Sequence, residues 1–365
     1  MPNSPGTKFK PIKRLRLLNK FAETGKQKTL PIELGGDLLR YATITAFLGA
    51  GLQALFWDFP LRALLWDQSW WNWCVELLGF SWTEWVTSLR VDQTIDGVGK
   101  ALGGLLALLG VTLALIRPEK TGAWARVFLV GGACILLLRS FLIWKEHFWQ
   151  IGQLLEIFVL MGAPLVYLTH LKRTDGVGTK KGFLPHKWGA FTLQGTLLDV
   201  LSSKPSFLSS GERAGEGKSQ EYPLGWLRLL IALTFTGHGL YAVGFHPVPA
   251  NFVFMTQAGL GVGEDVARQL LFGVGVLDFL AAGLLLLPWR RAWLTGLAWI
   301  IPWAVLTTFA RVWSYSGYVE WDTLIYQWIP EVVVRLPHIL LPLVLFFLAR
   351  TQDAERGTKQ GGQKP

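Results

Sequence analysis

The stretch Phe235–Phe245 reads FTGHGLYAVGF, an apolar run with one histidine, His238, held between two glycines. An earlier stretch, Phe47–Trp57, reads FLGAGLQALFW and matches it at Phe47/Phe235, Gly49/Gly237, Gly51/Gly239, Leu52/Leu240 and Ala54/Ala242. Arg40 and Arg228 stand seven residues upstream of the two phenylalanines. The match predicts an internal duplication in which Ala50 occupies the place of His238.

Of the 365 residues, 51% are hydrophobic and 16% are charged, against about a quarter charged in an ordinary soluble domain. Several apolar runs reach the ~20 residues that cross a bilayer as a helix. The 19 Trp and 22 Phe suit rings gathered where hydrocarbon meets water. The predicted class is an all-α integral membrane protein.

The net charge of +10 does not indicate nucleic acid, because of where the charge falls. Residues 1–36 hold eight Lys/Arg, 171–226 hold another eight, the turns Arg117–Arg126 and Arg290–Arg291 add five, and the tail from Arg350 adds four. The alternate loops are poor in Lys/Arg and hold Asp58, Asp67, Glu76, Glu84, Asp92 and Asp96. That asymmetry is the positive-inside pattern. It predicts a multi-pass protein of the bacterial inner (cytoplasmic) membrane with both termini cytoplasmic, its basic segments facing anionic lipid. Cys74 and Cys134 are too far apart in character for a disulfide and lack metal-ligand spacing. No cleavable signal peptide is expected, since no small-residue cleavage site follows the first apolar run.

In order, the chain reads as a basic leader (1–36), a first four-helix membrane repeat (37–171), a cytoplasmic linker (172–225), a second four-helix repeat (226–350) and a cytoplasmic tail (351–365). The eight predicted spans are about Arg40–Trp57, Gly97–Ile116, Trp124–Trp144, Ile151–Leu171, Trp226–Phe245, Leu270–Leu287, Trp293–Trp313 and Trp328–Leu348. Each half starts and ends on the same side, so the repeats are parallel. Between the first two spans, WDFPLRALLWDQSWWNWCVELLGFSWTEW predicts one or two short amphipathic helices in the interface, either an anchor or a lid and partner surface.

Ionisable groups inside a membrane span are costly and mark function. Counted from the basic turns at ~1.5 Å per residue, His238, Asp278 and His338 fall near the middle of three different spans. The first half has Ala50, Leu102 and Leu160 at the matching places, which assigns any polar site to the second half. His238 serves either as a helix–helix hydrogen-bond donor or as a ligand contact; Asp278 is either a ligand contact or a buried carboxyl, protonated or paired with His238. Tyr241 joins the ligand-binding candidates. Arg139 and Arg311 lie nearer the outer surface, with Glu331 and Arg335 placed to pair one helical turn apart. Retention of the arginine in both halves points to a structural role. Two midplane histidines also admit bis-histidine haem, on weak grounds, and no metal site is indicated. GxSxG, HExxH and phosphate-loop patterns are missing, and GVGEDV at Gly261 lacks the strand of a nucleotide fingerprint.

RLLIALTFTGHGLYAVG, then GVGVLDFLAAGLLLL, then a basic turn and a helix ending TTFARVW, resembles the DoxX-like membrane proteins. The resemblance covers about residues 226–349 and, more faintly, 38–171. It implies a four-helix unit with a Gly-rich first helix, an acid on the second and an arginine late in the third, here Gly237–Gly239, Asp278 and Arg311. It further implies a binding or accessory subunit for a quinone, a lipid or a redox partner. The alternatives are a quinone-reducing oxidoreductase subunit and a structural subunit of a larger membrane complex. A fainter likeness is to the membrane domain of vitamin K-dependent carboxylase-like proteins.

Overall fold

The structure, a computed structural model, describes residues 30–116, 123–178 and 224–361. Among the described residues every regular element is helical. Seven stretches are long and apolar enough to cross a membrane: Leu34–Phe56, Leu89–Leu115, Arg126–Glu146, Ile151–Leu171, Glu264–Leu286, Arg290–Tyr315 and Trp321–Arg350. The chain is a multi-pass helical membrane protein.

The elements are α1 (Leu30–Phe56), the short α2 (Arg62–Leu65), α3 (Gln68–Leu77) and α4 (Trp82–Thr87), then α5 (Leu89–Leu115) and α6 (Ala123–Glu146). Next come α7 (Ile151–Glu156) and α8 (Phe158–Gly178), which a single turn residue separates. After them stand α9 (Leu224–Ala242), α10 (Ala250–Leu260), α11 (Glu264–Leu286) and α12 (Arg290–Tyr315). The last stretch is segmented into α13 (Trp321–Thr323), a π-helical turn (Leu324–Trp328), α14 (Ile329–Arg335) and α15 (Pro337–Gly361).

Several expected boundaries move. α1 begins at Leu30, inside the expected leader, and α8 runs to Gly178, inside the expected linker. α15 continues through the expected tail to Gly361. The rest of the leader and linker lies outside the described residues. α5 starts at Leu89, eight residues early, because the Ser88 hydroxyl caps it by accepting from the Val91 N–H. α11 likewise starts at Glu264, with two acids in its first turn at the positive end of the helix dipole. The eighth span is not one helix: Pro337 has no N–H to continue α14. The interfacial segment forms three short helices rather than one or two.

The fifth predicted span forms as α9 but is not among the seven apolar stretches. Arg228, His238, two threonines and three glycines lower its apolarity. It needs no lipid-like surface, because α7, α8, α11 and α15 pack around it and eleven of its 19 residues are buried.

Small residues set how closely α9 and α1 approach their neighbours. A Cβ on Gly237 would stand 2.5 Å from the Glu156 nitrogen, and one on Gly49 would overlap the Val334 backbone. Gly51 faces Ala107 and Gly103 of α5, and Gly239 faces Phe279 and Gly275 of α11. Each glycine-rich helix thus packs on the long helix that follows it and on the last helix of the opposite half. The two arginines also act alike. Arg40 donates to the carbonyls of Leu113 (2.7 Å) and Ala114 (2.8 Å), and Arg228 to those of Leu285 and Leu287 (both 2.6 Å). Each satisfies carbonyls that a helix end leaves open.

The Trp-rich segment is partly docked. Asp67 caps α3 through Ser69 and pairs with Lys145 at the end of α6. Trp70 packs on Phe141 and Trp149, with ring centroids 6.2 and 5.9 Å apart. Trp73, Leu77 and Leu78 stay exposed, as an interfacial surface requires.

Two outcomes are expected. Gly237→Ala destabilises by about 1–3 kcal/mol through overpacking, whereas Gly131→Ala, with open space around it, is neutral; detergent-phase thermal unfolding measures both. Lys145 and Ser69 hold the Asp67 carboxyl down at about 2, from 3.8. A depressed carboxyl stabilises above its unfolded value and loses that contribution as pH falls. The stability difference between the wild type and Asp67→Asn is therefore constant above about pH 5 and shrinks to nothing between about pH 4 and 2. Tryptophan fluorescence of the unfolding transition reads it.

Candidate functional site

At the end of the bundle that carries the Trp-rich segment, a chain of polar groups crosses between the two halves. Arg139 of α6 donates to Gln53 of α1 at 2.7 Å, and the Gln53 amide donates to Glu331 of α14. Glu331 also lies 3.6 Å from Arg311 of α12 and 3.8 Å from Arg335. Arg335 donates to Glu156 of α7 at 2.8 Å. Glu156 stands 3.7 Å from His238. Glu156 and His238 are 6% and 8% exposed, so the pair is screened from water on most sides.

The breaks in the helices shape this cluster. His338 places Nδ1 3.2 Å from the Arg335 carbonyl and Nε2 3.3 Å from the Glu156 carbonyl. These are the last residues of α14 and α7, where the helices leave carbonyls open. A neutral imidazole carries one N–H, so His338 donates to one of these two carbonyls and its other nitrogen stays unprotonated beside the second. The His238 ring lies 5.7 Å from that of His338, and its Nε2 has no hydrogen-bond partner. Among the described residues no group of three or more His, Cys, Asp or Glu is arranged to hold a metal ion, and Cys74 and Cys134 are free thiols.

Two cavities flank the cluster. One, of about 840 Å³, has mainly apolar walls from α10, α11 and α12, with His238, Asp278, Arg311 and Arg335 among its lining. Its outer wall includes Leu270, Leu306 and Phe309, all exposed on the bundle surface. The second, of about 640 Å³, is more polar and is lined by Arg139, Glu156, Tyr241, Glu331 and Arg335 together with several carboxamides. Arg335 and Phe252 belong to both linings.

The sequence-derived candidates are therefore divided. His238, Asp278 and Arg311 meet at the apolar cavity, and Tyr241 lines the polar one, with its hydroxyl donating to Gln150 at 2.9 Å. Asp278 does not pair with His238. It accepts from the Trp299 indole at 2.8 Å, beside the stacked ring of Trp303. Arg311 donates to the Thr307 carbonyl of its own helix at 2.9 Å. Glu331 and Arg335 do pair, but the shorter partner of Arg335 is Glu156.

The first half is not mere scaffold, because it supplies Glu156, Gln53 and Arg139. Glu156 is the one acid inside IGQLLEIFVLMGAP, and the cost of ionisable groups in a span marks it. Counting back eight residues from Pro164 and from Pro342 sets Glu156 against Val334. The half-to-half comparison that isolates His238 isolates Glu156 as well.

No family model matches the chain, and neither does any curated protein or solved structure. The geometry stands on its own.

Removing one partner of a buried ion pair strands the other charge. Glu156→Ala is expected to destabilise by about 3–5 kcal/mol, and Glu156→Ala with Arg335→Leu to recover most of that loss. Unfolding of the two single variants and the double variant completes the cycle.

Proposed function

We propose that this chain binds an amphipathic molecule of the membrane, a quinone or a lipid, with its polar end at His238, Asp278 and Arg311. The observation that carries the reading is the meeting of these three side chains in one apolar cavity of about 840 Å³. Small-molecule sites are mostly apolar concavities with a few convergent polar groups. The exposed apolar residues on the outer wall give a lipid-soluble molecule a route from the bilayer. An aqueous solute would find little there to replace its hydration.

In the same reading the chain is two parallel, DoxX-like four-helix repeats with eight spans, α9 being the fifth. The paired roles of Arg40 with Arg228 and of Gly49 with Gly237 support it. The basic end then faces the cytoplasm of a bacterium, by the positive-inside asymmetry. A second reading, quinone reduction, gains support from Glu156. It lines the polar cavity while standing 3.7 Å from His238 at the apolar one, so a proton has a path between the two.

Trp303 and Trp313 line the cavity, so ligand binding is readable as fluorescence quenching. Titration of the purified chain with a short-chain benzoquinone is expected to give saturable quenching. Val274→Trp, which fills the cavity from α11, weakens it at least about tenfold; displacement by phospholipid identifies the site as a lipid site instead. Quenching that does not saturate, or that ignores Val274→Trp, refutes the proposal.

A further inference from the structure

The polar cavity poses a separate question of ligand chemistry. Its walls carry five carboxamides, Gln53, Gln150, Gln153, Asn251 and Gln327; Gln53 is engaged with Arg139 and Glu331 and the Gln150 oxygen with Tyr241, which leaves Gln153, Asn251 and Gln327 to donate and accept. Its two arginines face three acids, Asp58, Glu156 and Glu331, so no surplus of positive charge awaits an anion. Nor do the acids await a cation: Asp58 is bonded to Arg62 at 3.0 Å, Glu156 to Arg335, and Glu331 to Gln53.

What is unsatisfied is of both kinds. Arg139 Nε, Arg335 Nε and Trp328 Nε1 are buried donors without a hydrogen-bond acceptor, and Asn251 Oδ1 is a buried acceptor without a donor. A buried polar atom left unpaired costs free energy, so a ligand that answers both kinds is held by them. A carboxylate or phosphate answers only the donors, and an ammonium only the acceptor. A set of hydroxyls answers both.

We propose that the polar cavity binds a neutral polyhydroxylated group, a sugar ring. The arrangement fits two sources, a free sugar or the head of a glycolipid. In the second case the lipid chain passes Arg335 and Phe252, which line both cavities, into the apolar one. The proposal rests on the polar cavity alone, so it and the quinone-or-lipid reading fail separately.

The test uses the full chain in nanodiscs, prepared without sugar-headed detergent. Saturation-transfer NMR is recorded with methyl β-glucoside (head alone), octyl β-glucoside below its micelle concentration (head and chain), and an octyl oligo-ethylene-glycol ether (chain alone). Transfer to the ring protons is expected from at least one glucoside. Comparable binding of both glucosides identifies a free sugar, and binding of octyl glucoside alone identifies a glycolipid head. Asn251→Ala, at an oxygen with no partner in the protein, lowers the affinity at least about tenfold, as does Gln327→Ala on a different element. The proposal is overturned by no ring-proton transfer from either glucoside. It is equally overturned by transfer that both variants leave unchanged, or by full displacement of octyl glucoside with the sugar-free ether.

Discussion

The contact on which the rest of this structure depends is the buried ion pair between Glu156 and Arg335. A charge held away from water is tolerable only with its partner and its remaining hydrogen bonds in place, and here the partners come from opposite halves. Glu156 ends α7 and Arg335 ends α14, and each helix breaks at the next residue. The breaks aim the two side chains at each other, and the His338 ring lies between the carbonyls that they open, with one N–H to give to them. Gly237 lets α9 come close enough to bring His238 beside the pair. Fold and site are set by the same few atoms.

That arrangement explains which parts were legible in the amino-acid sequence. Apolar runs and the placement of Lys/Arg are written over many residues, so the helical membrane class could be read directly. The glycines of FLGAGLQALFW and FTGHGLYAVGF could be read too, because close helix packing leaves a residue-by-residue mark. The ends of helices were less legible. α5 extends to Ser88 through one capping hydroxyl, and α8 and α15 continue into polar sequence where no apolar pattern follows them.

The site was half legible. His238, Asp278 and Arg311 announce themselves as polar groups in apolar runs, and they do share a cavity. Their partners did not follow from the same signal. Asp278 is answered by the indole of Trp299 rather than by a charge, and an indole in a Trp-rich chain carries no distinguishing mark. Glu156 was marked, yet it lies in the half where Ala50, Leu102 and Leu160 suggested only scaffold. Depth along a helix locates a residue in one dimension. Which residues face one another depends on helix rotation, and rotation here follows from the breaks at Ile157 and Leu336.

The two glycine-rich stretches therefore stand in unlike surroundings, and the difference has a physical cause. Where one half offers Glu156, the other offers Val334; where one offers Arg335 and His338, the other offers Ile157 and Leu160. The shortest ion pair of the cluster is split between the halves, Glu156 coming from one and Arg335 from the other. Glu156 without the second half is an unpaired acid, and Arg335 without the first half loses its 2.8 Å partner and keeps only Glu331 at 3.8 Å. A symmetric pair of sites would place like charges at matching positions without this mutual dependence. One mixed site makes the assembly of the two halves and the construction of the site a single event.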